Sequence, residues 1–125
     1  QHESEDRINL LKATAEVNVL LKNFEVAFNQ YNQLIDELKT RDSHTLLQAS
    51  LAAIGAGHKE NAIVLLELAK RNNKRSFEAR YGLGLLYHEV GNLAAAGTQY
   101  HLIKDSTYES QYYDFIIKEI DDRPQ

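Results

Sequence analysis

Residues 76–104, SFEARYGLGLLYHEVGNLAAAGTQYHLIK, decide the fold of this 125-residue chain. The same pattern occurs earlier in the chain, at residue numbers lower by 34. The paired positions are Ser50 and Gly84, Gly57 and Gly91, Ala62 and Ala96, and Leu66 and Tyr100. A fixed period of this length is typical of stacked copies of one supersecondary unit. Because each unit of such an array contacts only its neighbours, one long surface stays open to partners.

Apolar residues recur at helical spacing in seven segments that are separated by short polar turns. The segments are 4–21, 25–39, 44–56, 59–71, 77–90, 93–104 and 108–121. The single proline, Pro124, lies at the end of the chain, and the composition favours helix almost throughout. The sequence therefore predicts an all-α protein in which short connections make consecutive helices pack antiparallel.

Several turn residues fit the predicted helix ends. Ser43, Ser76 and Thr107 each stand before a segment, where a hydroxyl can accept a hydrogen bond from a free backbone N–H group. Gly57 and Gly91 each follow a segment, where a residue with positive φ ends a helix at no steric cost. We expect these five positions to bound their helices.

Charge and composition exclude several classes of protein. The net charge of −4 argues against a general nucleic-acid binder, which carries a basic surplus. The absence of cysteine excludes disulfides, thiol nucleophiles and zinc–thiolate sites. Apolar runs are much shorter than the ~20 residues that span a bilayer, so no membrane insertion is expected. The chain begins with Gln1 and contains no methionine, which indicates a processed protein or a piece of a longer one, cytoplasmic or periplasmic.

The repeated residues resemble the signature of the tetratricopeptide repeat (TPR) family, whose unit is a pair of antiparallel helices with this same period. In the last repeat the matching residues are Leu83, Gly84, Tyr87, Gly91, Asn92, Ala96 and Tyr100. In the repeat before it they are Ala49, Ser50, Gly57, Ala62, Leu66 and Ala69. The small residues would let the two helices of a unit approach closely, and the tyrosines would fill the space between units.

A weaker first unit lies upstream, where the offset is 35 instead of 34. Its residues are Ala15, Ala27, Tyr31 and Leu34, and adding 35 to each gives its counterpart. One extra residue in the turn at Thr40–Asp42 would explain the offset. Gly97, inside a predicted helix after three alanines, costs about 1 kcal/mol relative to alanine, which tight backbone packing would explain.

The resemblance implies a right-handed α-solenoid of about seven helices in a single domain, residues 1–125. Its units would be residues 8–42, 43–76 and 77–110. The last segment, 108–121, would be either a capping helix or the first helix of a truncated repeat, and these alternatives stay open.

The sequence contains no pattern that indicates catalysis. The five histidines form no His-x-x-x-His pair that would place two metal ligands on one helical face. No nucleophile elbow surrounds a serine, and no glycine-rich loop precedes a helix. We therefore expect no catalytic residue, metal site or cofactor, and the chain is not predicted to be an enzyme.

In the TPR family the concave face is built from the first helix of each unit. Carried over by position, the partner-binding candidates are Lys12, His44, Leu47, Gln48, Leu51, Tyr81, Leu85, His88 and Tyr112. For Leu51 and Leu85, packing in the core is an equal alternative. Glu16 and Glu78 would repel a carboxylate, so the acidic tail of heat-shock chaperones is not the expected ligand.

The expected function is that of a scaffold or adaptor that binds a protein ligand, as a peptide or helix, in its concave groove. The alternative is a structural segment of a larger solenoid or multiprotein assembly, such as a bacterial cell-envelope, secretion or pilus complex. In that case the apolar set Tyr112, Phe115 and Ile116 would stack on another copy or on a neighbour.

Overall fold

The computed structural model describes residues 2–73 and 76–104, and within these ranges the chain is all-helical without a strand. The helices are α1 (His2–Leu20), α2 (Phe24–Asn32), which continues into a π-helical turn (Gln33–Glu37), α3 (Ser43–Gly55), α4 (Lys59–Asn72), α5 (Phe77–Glu89) and α6 (Leu93–Lys104). The all-α prediction is confirmed, and six predicted segments coincide with helices. The seventh segment, 108–121, and its predicted cap Thr107 lie outside the described residues.

Helices pack mainly against their neighbours in the chain. The contacts are most extensive within the pairs α3 with α4 and α5 with α6, whereas α2 contacts α1 and α3 to the same extent. Contacts between α4 and α5 connect those two pairs. Only a short turn separates α1 from α2, α3 from α4 and α5 from α6, which forces the chain to reverse within each of these three pairs. The two pairs with the most extensive contacts are those that the 34-residue period predicts.

The turns inside the three pairs have one backbone conformation. Gly57 and Gly91 have positive φ, 85° and 87°, as predicted. The next residue donates its N–H five positions back in both turns, at 2.8 Å. Lys22 has a φ of 63° at the equivalent place between α1 and α2, and Asn23 N–H likewise donates to Asn18 O at 2.7 Å. The first pair therefore keeps the turn geometry although it has lost the glycine.

The core is built largely from small side chains. Among the described residues, nine of the nineteen buried apolar side chains are alanine: Ala15, Ala27, Ala49, Ala52, Ala53, Ala62, Ala69, Ala79 and Ala96. The largest fully buried side chain is Tyr31 in α2, and burial followed by the negative charge of Glu16 raises its pKa to about 12. Ser50, Gly84, Ala62 and Ala96, the predicted small contact positions, are all buried.

Two local predictions differ from the structure. Asp42 is the N-cap of α3 instead of Ser43, because the Asp42 carboxylate accepts the Thr45 N–H, whereas Ser76 caps α5 as predicted. No described atom lies within 4 Å of the Gly97 Cβ position, so the described residues do not supply the tight packing expected there. Close approach instead occurs at Gly55, where a methyl group would overlap the ring of Phe24.

The segment with the extra residue of the first unit contains the π-helical turn, in which Leu38 N–H donates to Gln33 O at 3.1 Å. A π turn holds one residue more than the α turn that it replaces. The turn Gln33–Glu37 can therefore accommodate the longer offset of the first unit, before the chain reaches Thr40–Asp42.

Replacing Lys22 with glycine is expected to raise the free energy of unfolding by about 0.5–1 kcal/mol, because glycine adopts positive φ without the strain of a Cβ atom. The matched change Gly57→Lys should lower it by a similar amount. No described atom lies within 4 Å of the Gly57 Cβ position, so backbone strain alone is tested. Urea denaturation of both variants measures the effect, and opposite signs are required.

Candidate functional site

One groove of about 790 Å³ lies between α3 and α5, with part of α4 as its floor. Its apolar lining residues are Leu47, Leu51, Ile54, Leu66, Phe77, Tyr81, Leu85 and Leu86. Its other lining residues are Ser43, His44, Gln48, Ser50, Asn73, Ser76, Glu78, Gly82 and Glu89. We call this site the α3–α5 groove.

The two walls of the α3–α5 groove are repeats of each other. Five positions of α3 recur on α5 at the repeat spacing: Ser43 and Phe77, His44 and Glu78, Leu47 and Tyr81, Gln48 and Gly82, and Leu51 and Leu85. These positions follow helical spacing, so each set forms one face of its helix. The periodicity that determines the fold therefore also places the groove residues.

The floor is formed where α5 crosses Leu66 of α4. A Cβ atom at Gly82 would come within 2.9 Å of Leu66 Cδ1, so glycine leaves the room that this side chain occupies. Leu66 itself is buried. On the α5 wall, the rings of Phe77 and Tyr81 stack with their centroids 5.8 Å apart. The result is an apolar floor with an aromatic wall.

Six of the nine predicted site residues line the α3–α5 groove: His44, Leu47, Gln48, Leu51, Tyr81 and Leu85. Leu51 is 49% exposed, so it is a surface residue and the alternative of core packing is wrong for it. Leu85 is half-buried.

The other three predicted residues are not in the groove lining. His88 is buried, with 9% exposure, and does not line the groove, although Leu85 and Glu89 beside it do. Lys12 lies on α1 and forms an ion pair with Asp42 at 3.6 Å. Tyr112 lies outside the described residues.

Sequence reasoning missed Phe77, Leu66 and Glu89 as lining residues. Phe77 could have been found, because it is the counterpart of Ser43 at the repeat spacing. Leu66 lies on α4, the second helix of its unit, and the prediction took residues only from the first helix of each unit. Glu89 follows the last turn of the periodic face and has no equivalent lining residue on α3.

Ion pairs join the groove helices to their neighbours. His44 Nε2 lies 3.2 Å from Glu16 Oε1, which connects α3 with α1. Lys59 Nζ lies 3.7 Å from Glu89 Oε2, which connects α4 with the end of α5. All four side chains are at least partly exposed, so each pair contributes at most about 1 kcal/mol.

The groove is suited to binding apolar side chains and offers little reactive chemistry. Within residues 2–73 and 76–104 no group of three His, Asp or Glu side chains could hold a metal ion. No described helix is both long and apolar enough to cross a membrane. A volume of this size falls in the range of ligand sites, which are mostly apolar with a few polar groups.

No protein-family model matches this chain, and no curated protein matches it either. The function of this chain is therefore inferred from the geometry of the α3–α5 groove.

Asp42 anchors the α3 wall. Its Oδ2 accepts the Thr45 N–H at 3.1 Å and its Oδ1 accepts the Thr45 hydroxyl at 2.8 Å. Partial burial raises the pKa of Asp42, but the Thr45 hydrogen bonds and the charge of Lys12 together outweigh it, so the pKa lies below its usual value. The carboxylate form is therefore the one that the folded state stabilises.

We expect Asp42→Ala to lower the free energy of unfolding by about 1 kcal/mol, because it removes the N-cap. Asp42→Asn keeps a capping oxygen and should cost less. Because the folded pKa is lowered, the stability from the Asp42 charge is present above the unfolded pKa of about 3.9 and is lost as pH falls through the folded pKa. Urea denaturation at about pH 7 and about pH 3 checks this, and an unchanged difference between wild type and Asp42→Asn would contradict it.

Proposed function

We propose that this chain is a TPR-like α-solenoid that serves as a protein-interaction module, a scaffold or adaptor, and binds a partner peptide or helix in the α3–α5 groove. The observation that carries the proposal is the pair of repeat-equivalent apolar walls around one groove. Leu51, at 49% exposure, and Tyr81 represent the two walls.

The helix pairs support the solenoid part of the proposal. Lys22, Gly57 and Gly91 each have positive φ at the equivalent place in the turn, so each helix pair makes the same turn. Units that repeat a backbone conformation and contact mainly their neighbours are the basis of solenoid folds. The TPR family has this period, and the small residues at Ser50 and Gly84 agree with its signature.

The chemistry of the groove supports peptide binding. Helix-in-groove recognition uses apolar anchors that repeat about every three or four residues. The lining follows that spacing along α3 with Leu47, Leu51 and Ile54. A rigid pair of helices loses little conformational freedom when it binds, so the anchors can contribute efficiently.

Leu51→Glu is expected to weaken binding of a groove ligand at least about tenfold, because it places a charge on the apolar wall. The matched control is Val64→Glu, an exposed apolar residue of α4, 60% exposed, that does not line the groove. The ligand is first captured from the source extract on wild-type protein and is then titrated calorimetrically against all three proteins.

Circular dichroism must find the two variants equally folded. Equal affinity of Leu51→Glu and Val64→Glu for the captured ligand would place the binding surface elsewhere and refute the proposal.

A second candidate function is self-association as a structural segment, and the outer face of α1 favours it. Leu10 and Val17 lie two helical turns apart on α1 and are 70% and 50% exposed, and Leu21 in the turn after α1 is 64% exposed. The opposite face of α1 packs into the core through Leu11 and Ala15. Since α2 and α3, the described helices that contact α1, leave Leu10 and Val17 exposed, a second copy of the chain could cover them. The C-terminal set that the sequence suggested for stacking lies outside the described residues.

If α1 mediates self-association, light scattering after size exclusion should find a dimer that the double change Leu10→Glu, Val17→Glu converts to a monomer. Burying these apolar side chains would supply the driving force. Val64→Glu again serves as the control and should remain dimeric. A wild-type protein that is monomeric across a hundredfold range of concentration (on the order of micromolar to sub-millimolar) excludes this function.

A further inference from the structure

Carboxylates occupy both ends of the α3–α5 groove. Glu78 lies in the first turn of α5 and Glu89 is its last residue, and both line the groove. With a rise of about 1.5 Å per residue, the two positions are about 16 Å apart along the helix axis. The apolar residues Leu51 and Leu85 lie between these ends. An apolar middle with an acidic group at each end defines the chemistry that a ligand must match.

Within residues 2–73 and 76–104, the basic side chains that the sequence offered to a ligand have carboxylate partners. The only histidine, lysine or arginine among the described lining residues is His44, and its Nε2 lies 3.2 Å from Glu16. Lys12, the other cation that the sequence offered to a ligand, is paired with Asp42 on the loop before α3. Lys59 Nζ lies 3.7 Å from Glu89 Oε2 and both side chains are partly exposed, so a ligand cation would share Glu89 with Lys59.

The floor favours a ligand that satisfies its own backbone hydrogen bonds. An extended peptide would bring unpaired N–H and C=O groups against Leu51, Leu66 and Leu85, which offer no partner. A helical peptide pairs these groups internally and presents only side chains. About three helical turns span the distance between the two carboxylates.

Taking the proposed groove function as its basis, we propose that the α3–α5 groove selects an amphipathic helix with an apolar stripe and with lysine or arginine at its ends. Glu78 and Glu89 attract the terminal cations, and Leu51 and Leu85 contact the stripe. Acidic peptides are disfavoured, because their carboxylates would meet these two glutamates. Electrostatic complementarity of this kind sets specificity more than total affinity.

The expected difference in affinity between peptides is small, because the carboxylates of Glu78 and Glu89 are exposed to solvent. An exposed ion pair changes affinity by about two- to fivefold, and two of them act at separate ends of the groove. We therefore expect lysine ends to improve binding about five- to twentyfold over neutral ends at low salt. Added salt should reduce the gain, because exposed charges are screened.

Three synthetic peptides test the inference. Each contains about fourteen residues with the same stripe of leucines at helical spacing, and they differ only in having lysine, glutamine or glutamate at both ends. Fluorescence anisotropy with the wild-type chain should rank lysine above glutamine and glutamine above glutamate. The double change Glu78→Gln, Glu89→Gln should abolish the gain from lysine while leaving the affinity for the glutamine peptide unchanged.

The matched control is Glu37→Gln, Glu60→Gln, which removes two exposed carboxylates outside the groove and should keep the ranking. Loss of the ranking in this control as well would attribute it to net charge and overturn the inference. Equal binding of all three peptides to the wild-type chain also overturns it, but leaves groove binding intact. Binding of none of the three contradicts the proposed function together with this inference.

Discussion

Close approach of helices at alanine is the constraint on which the rest of this structure depends. Ala27, Ala49 and Ala62 are fully buried, and about half of the buried apolar residues are alanine. Helices that meet at such small side chains leave little interior volume for large ones. Leu46 of α3 and Leu83 of α5 are buried in this core. Other large residues of the two helices, such as Leu51 and Tyr81, lie on the face that lines the groove. A bigger residue at these alanines would separate the helices and alter both the core and the groove walls.

The repeat period predicted much of the fold and of the groove lining, because residues one period apart occupy equivalent positions on successive helix pairs. Adding the repeat period to the number of Leu47 or Leu51 gives a residue of the opposite wall, so the repeat places the walls without any knowledge of contacts. The repeat period could not show that Tyr81 lines the groove whereas His88 is buried. The two residues lie on nearly the same face of α5, and their burial depends on which residues cover each end of the helix. The repeat period also could not predict that Lys12 would be paired with Asp42, because their proximity comes from tertiary packing of α1 against α3.

The turn of the first helix pair has the same backbone conformation as the other two turns, although its residue type differs. Lys22 occupies the place of Gly57 and adopts positive φ despite the cost to a residue with a Cβ atom. The surrounding hydrogen bonds and the packing of α1 on α2 hold this conformation. By residue type alone the first unit matches the repeat pattern weakly, whereas its turn has the same geometry as the turns of the other two units.

The ion pairs beside the groove contribute little to stability, but they determine which charged groups a ligand can reach. Lys12 with Asp42 and His44 with Glu16 both join α1 to α3 or its N-cap, at exposed positions where each contributes at most about 1 kcal/mol. In forming these contacts, the side chains of Lys12 and His44 are directed towards carboxylates of the same chain. A ligand carboxylate would have to compete with Asp42 or Glu16 for either of them. The contacts that position the α3 wall thus support the proposed preference in charge, because Glu78 and Glu89, the latter shared with Lys59, are the carboxylates among the described lining residues.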